Sequence, residues 1–122
     1  MEKILVVDDE RHVVRLLKEF LNSKNYEVYT AMNGMEAIEK VKEVNPHIVF
    51  LDILMPGMGG LDCLKEIMKL NPKTAVVMLT AVIDEELALR ALQLGADDYI
   101  TKPVDLNYIE TVVMVKMIQL LD

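Results

Sequence analysis

Apolar residues follow two rhythms along this chain. Three short runs are almost continuously apolar and rich in β-branched residues: Ile4-Leu5-Val6-Val7, His47-Ile48-Val49-Phe50-Leu51 and Ala75-Val76-Val77-Met78-Leu79. Short runs without alternation predict strands covered on both faces. Two weaker strands are expected from Glu27 to Ala31 and from Asp97 to Thr101. The intervening stretches carry helical spacing. Val13, Val14, Leu17 and Leu21 share one face of a first helix, from about Glu10 to Ser23. A second helix follows Asn33, whose side chain is a good N-cap and whose partner Glu36 closes a capping box. A third runs from about Leu61 to Leu70, and Asn45-Pro46 and Asn71-Pro72 stop the second and third. A fourth follows Asp84 and ends at Gly95. A fifth follows Asp105 and runs nearly to the end.

Strand followed by helix, five times over, predicts an α/β fold: a doubly wound, five-stranded parallel sheet with helices on both faces. Ligands of such sheets bind beyond the carboxyl ends of the strands, where the strand order reverses. The residues just after each strand therefore hold the functional information.

Composition narrows the setting. The 122 residues suffice for one domain with a real core, expected to span 1–122, and are too few for two. No run of about 18 apolar residues exists, so no membrane span is expected. The N-terminal residues carry no secretory pattern, and the lone Cys63 allows no internal disulfide; both suit a reducing cytoplasm. Cys63 lies in a helical stretch with no base placed beside it and reads as packing. A net charge of -7 with no Arg/Lys cluster argues against direct nucleic-acid binding. An acidic chain still suits a cation or a basic partner.

Chemistry is concentrated at the strand ends. The first strand ends in Asp8-Asp9 and the third in Asp52; the fourth ends in Thr80-Ala81, and the fifth leads to Thr101-Lys102-Pro103. If the first and third strands are neighbours, three carboxylates converge, and their repulsion calls for a cation. One of Asp8 and Asp9 is expected to cap the first helix. Capping explains neither the pair nor the placing of Asp52 at the end of an apolar strand. Hard oxygen ligands in small number suit Mg2+, which accepts a phosphate oxygen as well. Asp52 is then a third ligand only, or also a nucleophile that forms an acyl phosphate. Lys102 and the Thr80 hydroxyl, able to bind further phosphoryl oxygens, favour the nucleophile.

The motifs Ile4-Leu5-Val6-Val7-Asp8-Asp9-Glu10, Leu51-Asp52-Ile53-Leu54-Met55-Pro56 with Gly57 to Gly60, Val77-Met78-Leu79-Thr80-Ala81 and Gly95-Ala96-Asp97-Asp98-Tyr99-Ile100-Thr101-Lys102-Pro103 occur in this order. Together they resemble the receiver domain of bacterial two-component response regulators, of the chemotaxis-regulator type, over essentially the whole chain. The resemblance implies a flavodoxin-like three-layer sandwich with strand order 2-1-3-4-5. It implies that Asp52 accepts a phosphoryl group, with Asp9 as direct Mg2+ ligand, Asp8 acting largely through water, and the Leu54 carbonyl as a further ligand. Thr80 becomes the switch hydroxyl and Tyr99 the switch aromatic. Lys102 becomes the phosphoryl-binding lysine, and the Lys102-Pro103 bond a cis peptide. The implied phosphodonor is a histidine kinase or phosphotransfer protein, and the implied recipient an output domain or effector protein. Such a domain is no enzyme beyond its own phosphorylation and dephosphorylation.

Other readings are weaker. A phosphohydrolase with an aspartate nucleophile would place an acid two residues on, where Leu54 stands. A flavin carrier would place a hydroxyl-rich loop where Asp8-Asp9-Glu10 stands. A phosphate-independent pseudo-receiver would not need Asp52, Thr80 and Lys102 together. His12 and His47 share no metal spacing and read as local packing, and the nine methionines as core filler. Apolar Leu54 and Val82 flank the expected approach to the acyl phosphate and cannot orient a water, so slow self-dephosphorylation is expected. On the fifth helix, Leu106, Ile109, Val113, Met117 and Leu120 should cover the sheet, leaving Tyr108, Val112, Met114, Val115, Ile118 and Leu121 outside that stripe. That excess predicts a contact surface, either for a second copy through the fourth helix, fifth strand and fifth helix, or for another domain.

Overall fold

The computed structural model describes residues 1–81 and 83–121. Its strands are β1 (Lys3–Val7), β2 (Glu27–Ala31), β3 (Ile48–Asp52), β4 (Ala75–Thr80) and β5 (Asp98–Thr101). Its helices are α1 (Arg11–Ser23), α2 (Gly34–Val44), α3 (Gly60–Leu70), α4 (Glu85–Gln93) and α5 (Leu106–Leu121). The strands pair in parallel in the order β2-β1-β3-β4-β5. The expected flavodoxin-like sheet is therefore the observed one, and every predicted element is present.

Alternation along each strand sorts the core into two layers. Leu5, Val7, Val49, Leu51, Val76 and Met78 face α2, α3 and α4, where they meet Ala37, Val41, Leu64, Ile67 and Ala91. Ile4, Val6, Ile48, Phe50, Val77 and Leu79 face α1 and α5, where they meet Val13, Leu17, Leu21, Ile109, Val113 and Met117. Both faces of the central strands are thus dry, which is why their sequences run apolar without alternation.

Helix boundaries follow local chemistry. Asn33 accepts the Glu36 N–H at 2.9 Å, and its amide reaches the Glu36 carboxylate at 3.3 Å. Asp84 accepts from the N–H groups of Glu86 and Leu87 at 3.0 and 3.2 Å. After α4, Gly95 takes φ +111°, a conformation that glycine adopts without strain, and Ala96 N–H closes on the Ala91 carbonyl at 3.0 Å.

Two expectations need correction. Neither Asp8 nor Asp9 caps α1: the N-cap residue is Glu10, which makes no side-chain cap bond. Asp8 instead accepts the N–H of Glu10 at 3.0 Å and so shapes the turn before the helix. On α5, Val112 is buried with Ile109, Val113 and Met117. A helix lying on a sheet buries a band wider than a single stripe. Tyr108, Met114, Val115, Ile118 and Leu121 are exposed. Val82 lies outside the described residues.

Candidate functional site

Strand order builds the site. Val7 of β1 is paired with Leu51 of β3, so the next residues, Asp8 just past β1 and Asp52 at the end of β3, lie side by side. One carboxylate oxygen from each of Asp8, Asp9 and Asp52 lies within 4.8 Å of the others. Asp8 and Asp52 are buried, and Asp9 is exposed at the rim. The backbone closes tightly around this corner. Gly60, the first residue of α3, lies so near that a Cβ on it would stand 2.3 Å from the Asp52 carbonyl oxygen. Leu54 N–H donates to Asp52 Oδ1 at 3.4 Å, while its side chain points outward and is exposed.

From the other side, β5 delivers Lys102. Its N–H donates to the carbonyl of Thr80, and the peptide bond to Pro103 is cis. The Lys102 side chain is 9% exposed, and its ammonium stands 2.7 Å from Asp8 Oδ2, 3.0 Å from Glu10 Oε1 and 3.7 Å from Asp52 Oδ2. The hydroxyl-bearing Thr80 is fully buried at the end of β4, opposite Thr101 of β5. Tyr99, one turn of alternation away, pairs with Met78 and packs half-buried on the layer that holds Leu87, Ala91 and Leu94.

Among the described residues, Asp8, Glu10 and Asp52 surround the Lys102 ammonium and Asp9 stands beside them, so charge is out of balance. Burial and the neighbouring Asp8 charge push the Asp52 carboxyl up to about 7, against the pull of Lys102 and the Leu54 N–H; a hydrogen bond with Asp9 adds to the rise. Burial acts to lower the Lys102 pKa, but hydrogen bonds to Asp8 and Glu10 and the charges of Asp8 and Asp52 raise it. Asp8 Oδ2 is buried, with the Lys102 ammonium 2.7 Å away. A buried acceptor with spare capacity, grouped with two more carboxylates, suits a small, hard divalent cation.

These features together carry the identity, and the family comparison decides it. Residues 4–114 match the response regulator receiver domain. The chain belongs to that family. It is 41% identical over 103 residues to the chemotaxis protein CheY of Thermotoga maritima, covering 84% of this chain and 86% of that one. It is 37% identical over 113 residues to the regulatory protein AtoC of Escherichia coli, covering 93% of this chain but 24% of AtoC. Among solved structures it superposes on the CheX-CheY complex with BeF3 and Mg2+ from Borrelia burgdorferi with a TM-score of 0.88 at 36% identity, covering 93% of this chain and 87% of that chain. It is thus a receiver domain of two-component signalling.

Other candidates resolve simply. Cys63 is buried against α2, where its thiol contacts the Gly34 carbonyl at 3.8 Å and burial pushes its pKa up to about 12. His47 accepts the Lys3 N–H at Nδ1 and is a local link between β1 and β3. His12 is exposed, with Nε2 3.5 Å from Glu10. Among the described residues no helix is long and apolar enough to cross a membrane. Two features escaped the linear reading. Glu10 was visible only as part of a motif, because its contact with Lys102 spans 92 positions. Arg11, Arg15 and Lys18 line one groove of α1 with Glu19, Thr30 and Met32; their spacing of four and three residues marks a shared helix face in the sequence, but nothing local places Thr30 and Met32 beside it.

Proposed function

We propose that this receiver takes a phosphoryl group from a phosphohistidine onto Asp52 in a Mg2+-dependent reaction. The observation that carries it is the meeting of Asp8, Asp9 and Asp52 within 4.8 Å, with the Lys102 ammonium 3.7 Å from Asp52. A carboxylate oxygen of Asp52 attacks phosphorus as the bond to the donor's imidazole nitrogen breaks. Asp8, Asp9 and Asp52, with the Leu54 carbonyl, would hold the cation, which neutralises charge on the phosphoryl oxygens. Lys102 turns from its present partners to a second oxygen, and the Thr80 hydroxyl donates to a third. Movement of Thr80 leaves room for Tyr99 to turn inward, changing the surface of α4, β5 and α5.

The partners in this reading are a histidine kinase or phosphotransfer protein and an output domain or effector, in the cytoplasm. Residues 1–122 act as one domain, which catalyses no reaction but its own phosphorylation and dephosphorylation. The exposed Tyr108, Met114, Val115, Ile118 and Leu121 of α5 support a contact with a second copy.

Mass spectrometry after incubation with acetyl phosphate and Mg2+ tests the reaction. One added phosphoryl group is expected, absent from Asp52→Asn and absent when the metal is chelated. Continuous turnover of a phosphate ester would instead indicate a hydrolase, and no addition at all a phosphate-independent interaction module.

A further inference from the structure

Glu10 occupies an unusual place. Its backbone caps α1, its carbonyl accepting from Val13 and Val14 at 3.1 and 3.2 Å. Helix N-caps favour short side chains that fold back onto the first N–H groups. The Glu10 side chain makes no such bond and reaches across to Lys102 at 3.0 Å. Its backbone cannot drift, because its N–H is held by Asp8 Oδ1 at 3.0 Å. The lysine needed at Asp52 is therefore nearer to Asp8 and Glu10 than to Asp52 itself, at 2.7, 3.0 and 3.7 Å. Asp8 is committed to the acidic cluster. Glu10 is not among the clustered carboxylates, and its side chain is half-exposed.

We propose that Glu10 is a positioning residue that acts through Lys102: it holds the ammonium at the rim and must release it before Lys102 can meet a phosphoryl group on Asp52. The proposal rests on the phosphoacceptor reading of Asp52 and goes beyond it by naming the group that competes with the product for the lysine. Release of a half-exposed ion pair changes an equilibrium by about two- to fivefold. Removing the contact should raise the affinity for beryllofluoride and the rate of acetyl phosphate uptake by about that factor.

Two substitutions separate contact from charge. Glu10→Gln removes the charge. Glu10→Asp keeps the charge but shortens the side chain by one methylene, which takes the carboxylate out of reach of Lys102. Both variants are expected to bind beryllofluoride with Mg2+ more tightly than the natural chain, and both to take up phosphoryl faster. Mg2+ affinity itself should stay level or fall, so a tighter metal cannot be the cause. Acceleration in Glu10→Gln alone, with Glu10→Asp like the natural chain, would show a general charge effect and overturn the proposal, as would no acceleration in either. A readout independent of phosphorylation is the carbon-13 resonance of the Asp52 carboxyl and of Lys102 Cε in metal-free protein. Both resonances should move in both variants as the ammonium shifts toward Asp52; unchanged resonances overturn the proposal. If the natural chain takes up no phosphoryl group, the reading of Asp52 fails while these resonances still decide the role of Glu10.

Discussion

Gly60 and Asp52 are in backbone contact: a Cβ on Gly60 would stand 2.3 Å from the Asp52 carbonyl oxygen and 2.5 Å from Ile53 Cα. The first turn of α3 therefore sits directly on the end of β3 and sets the direction in which the Asp52 carboxylate leaves the strand. Backbone atoms on both sides cannot yield as a flexible side chain would. Gly60→Ala should lower stability by about 1–3 kcal/mol, the range of an overpacked site, and should weaken metal binding as well. Gly59, the N-cap of α3, has open space around its Cα, so Gly59→Ala should cost only the loss of a favoured cap residue, about 1 kcal/mol or less, and leave metal binding unchanged. Urea denaturation of the two variants checks the contrast; equal effects would show that α3 does not press on β3.

Asp52 makes the metal-free fold sensitive to pH. Its carboxyl titrates near 3.8 in an unfolded chain and at about 7 in the fold. Between these values the folded protein binds more protons than the unfolded one, so stability falls as pH rises through the window. Below the window Asp52 contributes no difference, and above it the full penalty persists. The Tm of Asp52→Asn minus that of the natural chain, both without metal, should therefore grow from about pH 4 to about pH 7 and then level. A flat difference would mean that Lys102 already compensates Asp52.

Leu54 stands exposed beside Asp52 and offers no group to orient an attacking water. The aspartyl phosphate should accordingly be long-lived, and Leu54→Asn should shorten its half-life. Loss of the phosphoryl group followed by mass spectrometry gives both values. An unchanged or longer half-life in the variant would show that side-chain hydrogen bonding at this position does not limit hydrolysis.

Met114 and Ile118 on α5 are 52% and 67% exposed. In sedimentation, the beryllofluoride-treated natural chain should run heavier than a monomer, and the Met114→Glu, Ile118→Glu double variant as a monomer. Both positions are solvent-facing, so the variant's stability should stay within about 0.5 kcal/mol per substitution. A strictly monomeric natural chain would remove the self-association reading of this face.

Much of this architecture was legible in the residues. The uninterrupted apolar runs of β1, β3 and β4 are what a strand needs when both of its faces are dry, and Asn33, Asp84 and Gly95 mark helix ends by local hydrogen bonding alone. Less legible was α1, where Asp8-Asp9 suggested a cap and the structure uses Glu10. A local pattern shows which residues are able to cap, but distant partners decide which are free to do so. Val112 was misplaced for a related reason: helical spacing locates the centre of a buried band, and the neighbouring sheet sets its width.

By itself the sequence determined the alternation of strands and helices, the polar residue closing each central strand and the family. These depend on neighbours in the chain and on the period of side chains along an element. Only the tertiary structure decided that Lys102 rests nearer to Asp8 and Glu10 than to Asp52. It alone also set Thr30 and Met32 beside the α1 face of Arg11, Arg15 and Lys18 and pressed Gly60 against the Asp52 backbone. Those relationships join positions far apart in the chain, or set distances of a fraction of an ångström, and they exist only once the packed sheet has brought the strand ends together.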